Sequence, residues 1–258
     1  GDSDWYAASY PVTATNVLPV SDVEDMRREM SDNAFRQEML CDFSASSDDT
    51  LISLSLIEEA QRRSYRPGEY GFSPLVLGVD VARFGDDASV LFFRQGLVAF
   101  EPVVLRKADN MTLADRIAFE MRQRKPAAVF IDAGGGAGVI DRLRQLGQTV
   151  IEIPFGARAR RAERFVNRRM EMWQDMKDWL TSGGALPPDE ALKAELSAPT
   201  YGFDNKGLLK LERKEDIKER LGRSTDLADA LALTFAAPVA APDLERGRVK
   251  TAYNPLEW

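Results

Sequence analysis

The run Pro74–Ala82 is apolar throughout except for one carboxylate, Asp80. An apolar run of this length between turn-forming residues reads as a buried strand. A strand buried on both faces needs covering layers on both sides, so the chain must build a sheet flanked by helices. The next segments agree. Ala88–Arg94 and Leu97–Leu105 read as two further strands joined by a tight turn at Gln95-Gly96. A helix capped by Thr112 is expected to run to about Arg124, followed by a strand over Ala127–Ala133. Val139, Ile140, Leu143 and Leu146 keep helical spacing, and Thr149–Phe155 reads as a fifth strand. A long helix is expected over Glu163–Ser182, with Trp173, Trp179, Phe165, Met172 and Met176 as its core packing. Tyr201–Leu211 reads as a hairpin turning at Asn205-Lys206-Gly207. Helices over Lys214–Leu221 and Asp226–Ala236 precede an irregular tail, Pro238–Trp258.

The first sixty-odd residues have a different texture. Trp5–Thr15 reads as an irregular aromatic strand region, and Ser21–Glu24 as a capping box with Val23, Met26 and Met30 at helical spacing. Phe35, Met39 and Leu40 mark a second amphipathic stretch, and Ser55–Glu58 a second capping box. Arg63–Phe72 reads as a linker. The expected division is therefore 1–65 as a connector, 66–240 as the main α/β domain and 241–258 as a tail.

Composition narrows the chemistry. The chain of 258 residues has no histidine and a single cysteine, Cys41. Those two facts exclude a structural zinc site, an internal disulfide and a histidine general base. Gly1–Tyr10 is polar and acidic, so no signal peptide is expected, and no run approaches the ~18 apolar residues of a membrane helix. The formal net charge of −7 argues against a protein that coats nucleic acid. Locally the sign reverses, because residues 158–169 hold six arginines and one glutamate.

Hydrolysis without histidine leaves carboxylates and metal ions. Asp80 and Asp132 each sit at the end of an apolar strand, where an unpaired carboxylate is costly. Asp226 and Asp229 lie three apart on one face of a largely apolar helix. Each alone has an ordinary reading as a turn or cap residue. Together they form a set that repels itself unless Mg²⁺ or Mn²⁺ binds between its members. Two such ions roughly 3.5–4 Å apart activate water and stabilise a leaving oxygen in phosphodiester cleavage.

Three motifs carry a family resemblance. Residues 78–89 (GVDVARFGDDAS), 130–138 (FIDAGGGAG) and 224–231 (STDLADAL) resemble, in order, the three nuclease motifs of phage large terminases. The paired aspartates of the last helix also resemble those of Holliday-junction resolvases. The resemblance covers residues 74–237. It implies an α/β, RNase H-like mixed sheet with a five-stranded core, the first three strands antiparallel, flanked by helices and extended by a β-hairpin. It implies a metal-dependent endonuclease that cuts concatemeric double-stranded viral DNA during packaging, with Asp80, Asp132, Asp226 and Asp229 as catalytic metal ligands and Mg²⁺ or Mn²⁺ as cofactor. It departs at Thr225, where the family often has an aspartate, and so leaves Asp226 and Asp229 unranked. The implied partners are DNA, a packaging ATPase domain of the same protein, portal protein and a small terminase subunit, in the cytoplasm of an infected bacterium. No Gly-x-x-x-x-Gly-Lys-Ser/Thr loop stands in this chain, so residues 1–65 are expected to be the end of an ATPase region, and the chain a piece of a longer protein.

Candidate DNA contacts are Arg83, the ridge of Arg158, Arg160, Arg161, Arg164, Arg168 and Arg169, and Lys214 and Lys218. Asp86 and Asp87 read as turn residues, and the glycines at 134–138 as giving room around Asp132 rather than as a nucleotide loop. Two other functions compete: a junction resolvase or other recombination nuclease, and a non-catalytic module binding portal or DNA. An actin-like kinase would need a second copy of the fold.

Overall fold

The computed structural model describes residues 10–15, 17–30, 35, 39–41, 50–82 and 88–240. Expectations at Trp5, Arg83, Asp86, Asp87, most of 31–49 and the tail 241–258 fall outside these residues.

Strand β1 (Leu75–Asp80) runs through the middle of a six-stranded sheet. Strand β2 (Ala88–Gln95) pairs with it antiparallel, placing Asp80 opposite Val90. The expected third strand is split into β3 (Val98–Ala99) and β4 (Val103–Arg106), both paired antiparallel to β2. Pro102 stands between the two halves, and proline cannot donate to a ladder. Strand β5 (Ala128–Asp132) lies parallel to β1 with Gly78 opposite Phe130, and β6 (Ile151–Ile153) lies parallel to β5. The order is β3-β2-β1-β5-β6, with β4 beside β2. Because β1 and β5 are parallel, Asp80 and Asp132 finish at the same end of the sheet.

The period-two alternation of these strands sorts their side chains into two cores. Leu77, Val79, Leu91 and Ile131 pack on one face against α5 (Asn110–Arg124) and α6 (Ala133–Gln145). Val76, Val90, Phe92 and Phe130 pack on the other against α7 (Arg168–Thr181), α8 (Glu190–Ser197) and α10 (Asp226–Leu233). Helix α9 (Lys214–Leu221) follows the hairpin of β7 (Tyr201–Phe203) and β8 (Leu209–Leu211), whose turn has Gly207 at φ +76°.

Helix α10 sits against β1 at a distance only glycine permits. A Cβ on Gly78 would stand 2.1 Å from the Ala230 carbonyl oxygen and 3.0 Å from Leu233 Cβ. This contact brings the aspartates of α10 to the end of β1.

Among the N-terminal elements are α1 (Val12–Thr15), α2 (Val20–Glu29), α3 (Leu54–Arg62) and α4 (Pro67–Tyr70). Leu51, Ile52, Ile57 and Ala60 enter the same core as α10. Arg63 donates to the Leu180 and Gly184 carbonyls, and Tyr65 to Gly183.

Several helix starts differ from expectation. Ser53, not Ser55, caps α3; α2 begins after Pro19 with no side-chain cap. Asp109 caps α5 by accepting from the Met111 and Thr112 backbone, with Thr112 inside the first turn. Helix α6 starts at Ala133, so the glycines after Asp132 are helical. Helix α7 starts at Arg168, because Asn167 accepts from the Met170 amide and residues 160–164 form turns. The segment expected as a linker contains α4.

Candidate metal centre

Asp80, Asp132 and Asp226 line one cavity of about 650 Å³ at the carboxyl end of β1 and β5. Asp80 comes from β1 and is 3% exposed; Asp132 ends β5 and is 8% exposed. Asp226 opens α10, and one of its oxygens accepts from the Ala88 amide at 3.2 Å, tying the helix start to β2. Gly134 lets α6 begin hard against Asp132, since a Cβ there would lie 2.8 Å from Asp132 Oδ2. The rest of the wall includes Pro154, Phe155, Lys218 and Ser224.

Asp229 takes a different place. It is fully buried and does not line the cavity. Arg169 Nε donates to its Oδ1 at 2.9 Å and Arg169 Nη2 to its Oδ2 at 3.2 Å. Trp173 Nε1 donates at 2.8 Å and Thr225 Oγ1 at 2.8 Å. Burial alone would push this carboxyl up; Arg169 and Lys214 hold it well below the usual carboxylate range.

Lys214, expected to contact DNA and to approach the same site as the aspartates, reaches into the carboxylates. Its Nζ lies 3.2 Å from Asp80 Oδ2, 3.3 Å from Asp229 Oδ2 and 3.7 Å from Asp226 Oδ1. Burial opposes its charge, yet the three aspartates raise its pKa above the ordinary lysine value. Burial pushes Asp80 up to about 7, Lys214 opposes that rise, and Asp229, Asp226 and Asp132 add to it. Among the described residues, no three histidine, cysteine or carboxylate side chains stand close enough together to hold a metal ion as they are arranged here, and Lys214 lies between Asp80 and Asp226.

Four of the six arginines of the expected ridge, Arg160, Arg161, Arg168 and Arg169, are engaged by carboxylates of the protein itself. Glu171 is fully buried and accepts from the Arg160 and Arg161 amides, from Arg161 Nε at 3.1 Å and from Arg168 Nη1 at 2.7 Å. Asp175 pairs with Arg160 and Arg161. Arg168 also reaches the Ala236 carbonyl, and Arg169 serves Asp229. Arg158 and Arg164 are the exposed members of the run that none of these ion pairs engages. The signal that separates them is Glu171, three residues after Arg168 and between Met170 and Met172 in sequence; Asp229, sixty residues from Arg169, is beyond local reading.

No protein-family model and no curated protein matches the chain. Solved structures do. The nuclease domain of the large terminase subunit gp2 of bacterial virus Sf6 superposes with a TM-score of 0.62 at 21% identity, covering 73% of this chain and 99% of that one. A mutant of that domain is also solved with manganese. The large terminase nuclease from thermophilic phage G20c with bound magnesium gives 0.52 at 16% identity, covering 74% and 98%. The HK97 bacteriophage large terminase gives 0.53 at 12% identity, covering 88% of this chain and 53% of that one. This chain has the RNase H-like fold of the phage large-terminase nuclease domains.

Proposed function

We propose that this protein is a divalent-metal-dependent endonuclease that cuts concatemeric double-stranded viral DNA during packaging, as the nuclease part of a large terminase. A shared fold does not by itself assign an activity. The observation that carries the reading is the site: Asp80, Asp132 and Asp226 reach one cavity from three elements, and the protein places its own ammonium among them. An all-oxygen donor set that attracts a cation suits a hard ion such as Mg²⁺ or Mn²⁺. The neighbours solved with manganese and magnesium support that choice.

In this reading Asp80, Asp132 and Asp226 are the ligands. When bound there, divalent ions supply Lewis acidity for phosphodiester hydrolysis. Asp229 is a positioning residue: with Arg169 and Trp173 behind it, it fixes α10 and steers Lys214. Lys214 offsets part of the charge of Asp80 and Asp226, and a divalent ion held by those carboxylates would compete with its ammonium. Lys218, on the cavity wall, and the exposed Arg158 and Arg164 meet the DNA backbone. Residues 1–65 connect to a packaging ATPase, their last helix seated on the nuclease core, and residues 241–258 form a tail. Portal protein and a small subunit are its further partners, in the host cytoplasm.

Supercoiled plasmid tests the reading. Nicking and linearisation are expected with Mn²⁺ or Mg²⁺ and none with excess chelator. Cutting undiminished by chelator sinks the proposal, and so does binding of Mn²⁺ without any cutting of duplex DNA.

A further inference from the structure

A second cavity, of about 600 Å³, lies on the other side of Asp226. Asp226 and Ser224 line both cavities, so the carboxylate is the partition between them. The first extends toward Pro154 and Phe155, past β6; the second extends toward Ala88, Val104 and Arg106, on β2 and β4. Both open at one end of the sheet, one to each side of β1. Their centre is the end of the strand that carries Asp80.

The second cavity has an apolar wall and a cationic rim. Val104 on the edge strand is 43% exposed there, beside Ala88, Val90 and Leu227. Arg106 is exposed, and among the described residues it has neither an ion pair nor a hydrogen bond from its side chain. Arg223 stands opposite, bound to the Ala191 carbonyl at 2.5 Å and 3.5 Å from Glu195 Oε1. The acidic groups of the lining are turned to internal tasks. Asp189 caps α8 through the Ala191 and Leu192 amides. Glu195 accepts from the Leu227 and Ala228 amides at 2.8 and 3.1 Å. Apart from the Asp226 partition, what faces outward is therefore apolar surface and guanidinium, the chemistry of a sugar-phosphate strand rather than of a cation.

We propose that this second cavity is a subsite for the DNA strand on the β4 side of the bond to be cut, with Arg106 gripping a phosphate and Val104 and Leu227 against the deoxyribose. The inference rests on the nuclease reading above and extends it to the path of the substrate. Crossing from β6 to β4 spans four strand spacings, about 19 Å at ~4.8 Å each. With one phosphate of each strand per ~3.4 Å of helix axis, a duplex whose axis lies along that line presents about five phosphates of one strand over it. The scissile phosphate then sits over the Asp226 partition with Lys218 on one side and Arg106 on the other. The two cavities form one track.

The test uses the full chain and a fluorescein-labelled duplex of mixed sequence. Arg106→Ala is expected to reduce the log-log salt slope of binding by ~0.9. It is expected to raise KM about ten-fold with kcat little changed, the signature of lost uniform binding, and Arg106→Lys to restore the slope. Val104→Trp fills the cavity from the exposed edge. It is expected to lower cutting at least ten-fold while leaving Tm and the Mn²⁺ isotherm at wild-type values, the latter showing that the metal centre is intact. If the wild type cuts with Mn²⁺ and both Arg106→Ala and Val104→Trp bind and cut like it, the subsite is overturned and the nuclease reading stands. If the wild type binds Mn²⁺ and does not cut, the nuclease reading fails and the subsite with it.

Discussion

The Arg169 guanidinium spans both carboxylate oxygens of Asp229, at 2.9 and 3.2 Å, in the interior behind the cavity that Asp80, Asp132 and Asp226 line. The pair holds the third sequence motif against the long helix α7, so its loss is a matter of fold before chemistry. Removing one partner of a buried pair leaves an uncompensated charge, a cost of about 3–5 kcal/mol. Arg169→Met is therefore expected to lower stability by that amount in a denaturant titration. A change under 1 kcal/mol contradicts the structural role.

Lys214 acts as the cluster's own counter-ion. Lys214→Ala removes the ammonium from among Asp80, Asp226 and Asp229 and leaves their repulsion unscreened. The variant is expected to melt lower than wild type in chelator and to recover more of its Tm on adding Mn²⁺, because ligand binding to the folded state adds stability by mass action. Equal Mn²⁺-induced shifts in the two proteins argue that the lysine and the ion do not compete.

Gly78 sets the approach of α10 to β1. A methyl there meets the Ala230 carbonyl at 2.1 Å, and neither the strand nor the helix backbone yields easily. Gly78→Ala is expected to cost about 1–3 kcal/mol, in the range of overpacked cores, and to weaken cutting by displacing Asp226 from Asp80. Wild-type Tm together with wild-type cutting overturns the close-approach account.

Glu195 gives a pH signature. Burial pushes its carboxyl up to about 8, against the two backbone amides and Arg223, with Asp226 adding to the rise. A carboxyl whose folded pKa lies above its unfolded value of 4.5 binds more protons when folded, so its contribution to stability falls as pH rises between 4.5 and about 8. Glu195→Gln keeps an oxygen for both amides, which donate to the same carboxylate oxygen, and cannot ionise. The variant is expected to lose less Tm than wild type between pH 5 and pH 8, measured in chelator. Parallel losses show that Glu195 does not titrate in this window.

The buried strands were legible because they are continuous apolar runs: β1 and β5 end at Asp80 and Asp132 as their sequences suggest. The hairpin was legible through Gly207, and the last helix through the spacing of its apolar residues. Local cues misplaced the caps, since Thr112 and Asp109 are both good N-cap residues and only the observed turn decides between them. The direction of the long cationic side chains was not legible. Six arginines in twelve residues look like one charged face, yet Arg169 turns inward because Asp229 waits there from a helix sixty residues on. Lys214 precedes the third motif and so reads as able to approach the site, but its place between Asp80 and Asp229 depends on the end of β1 being brought beside it. Asp226 and Asp229 share a helix face at three-residue spacing, and what separates them is which one is met by Arg169 and Trp173.

The central claim is that three carboxylates, Asp80, Asp132 and Asp226, perform metal-dependent cleavage. It is tested most directly by cutting of a labelled duplex in Mn²⁺ by the wild type and by Asp80→Asn, Asp132→Asn and Asp226→Asn, each checked for fold by its melting curve. The account predicts that every variant stays folded and loses at least about a hundred-fold in rate, as loss of a group that acts with its neighbours as a unit does. A folded variant of any of the three that cuts at the wild-type rate contradicts it.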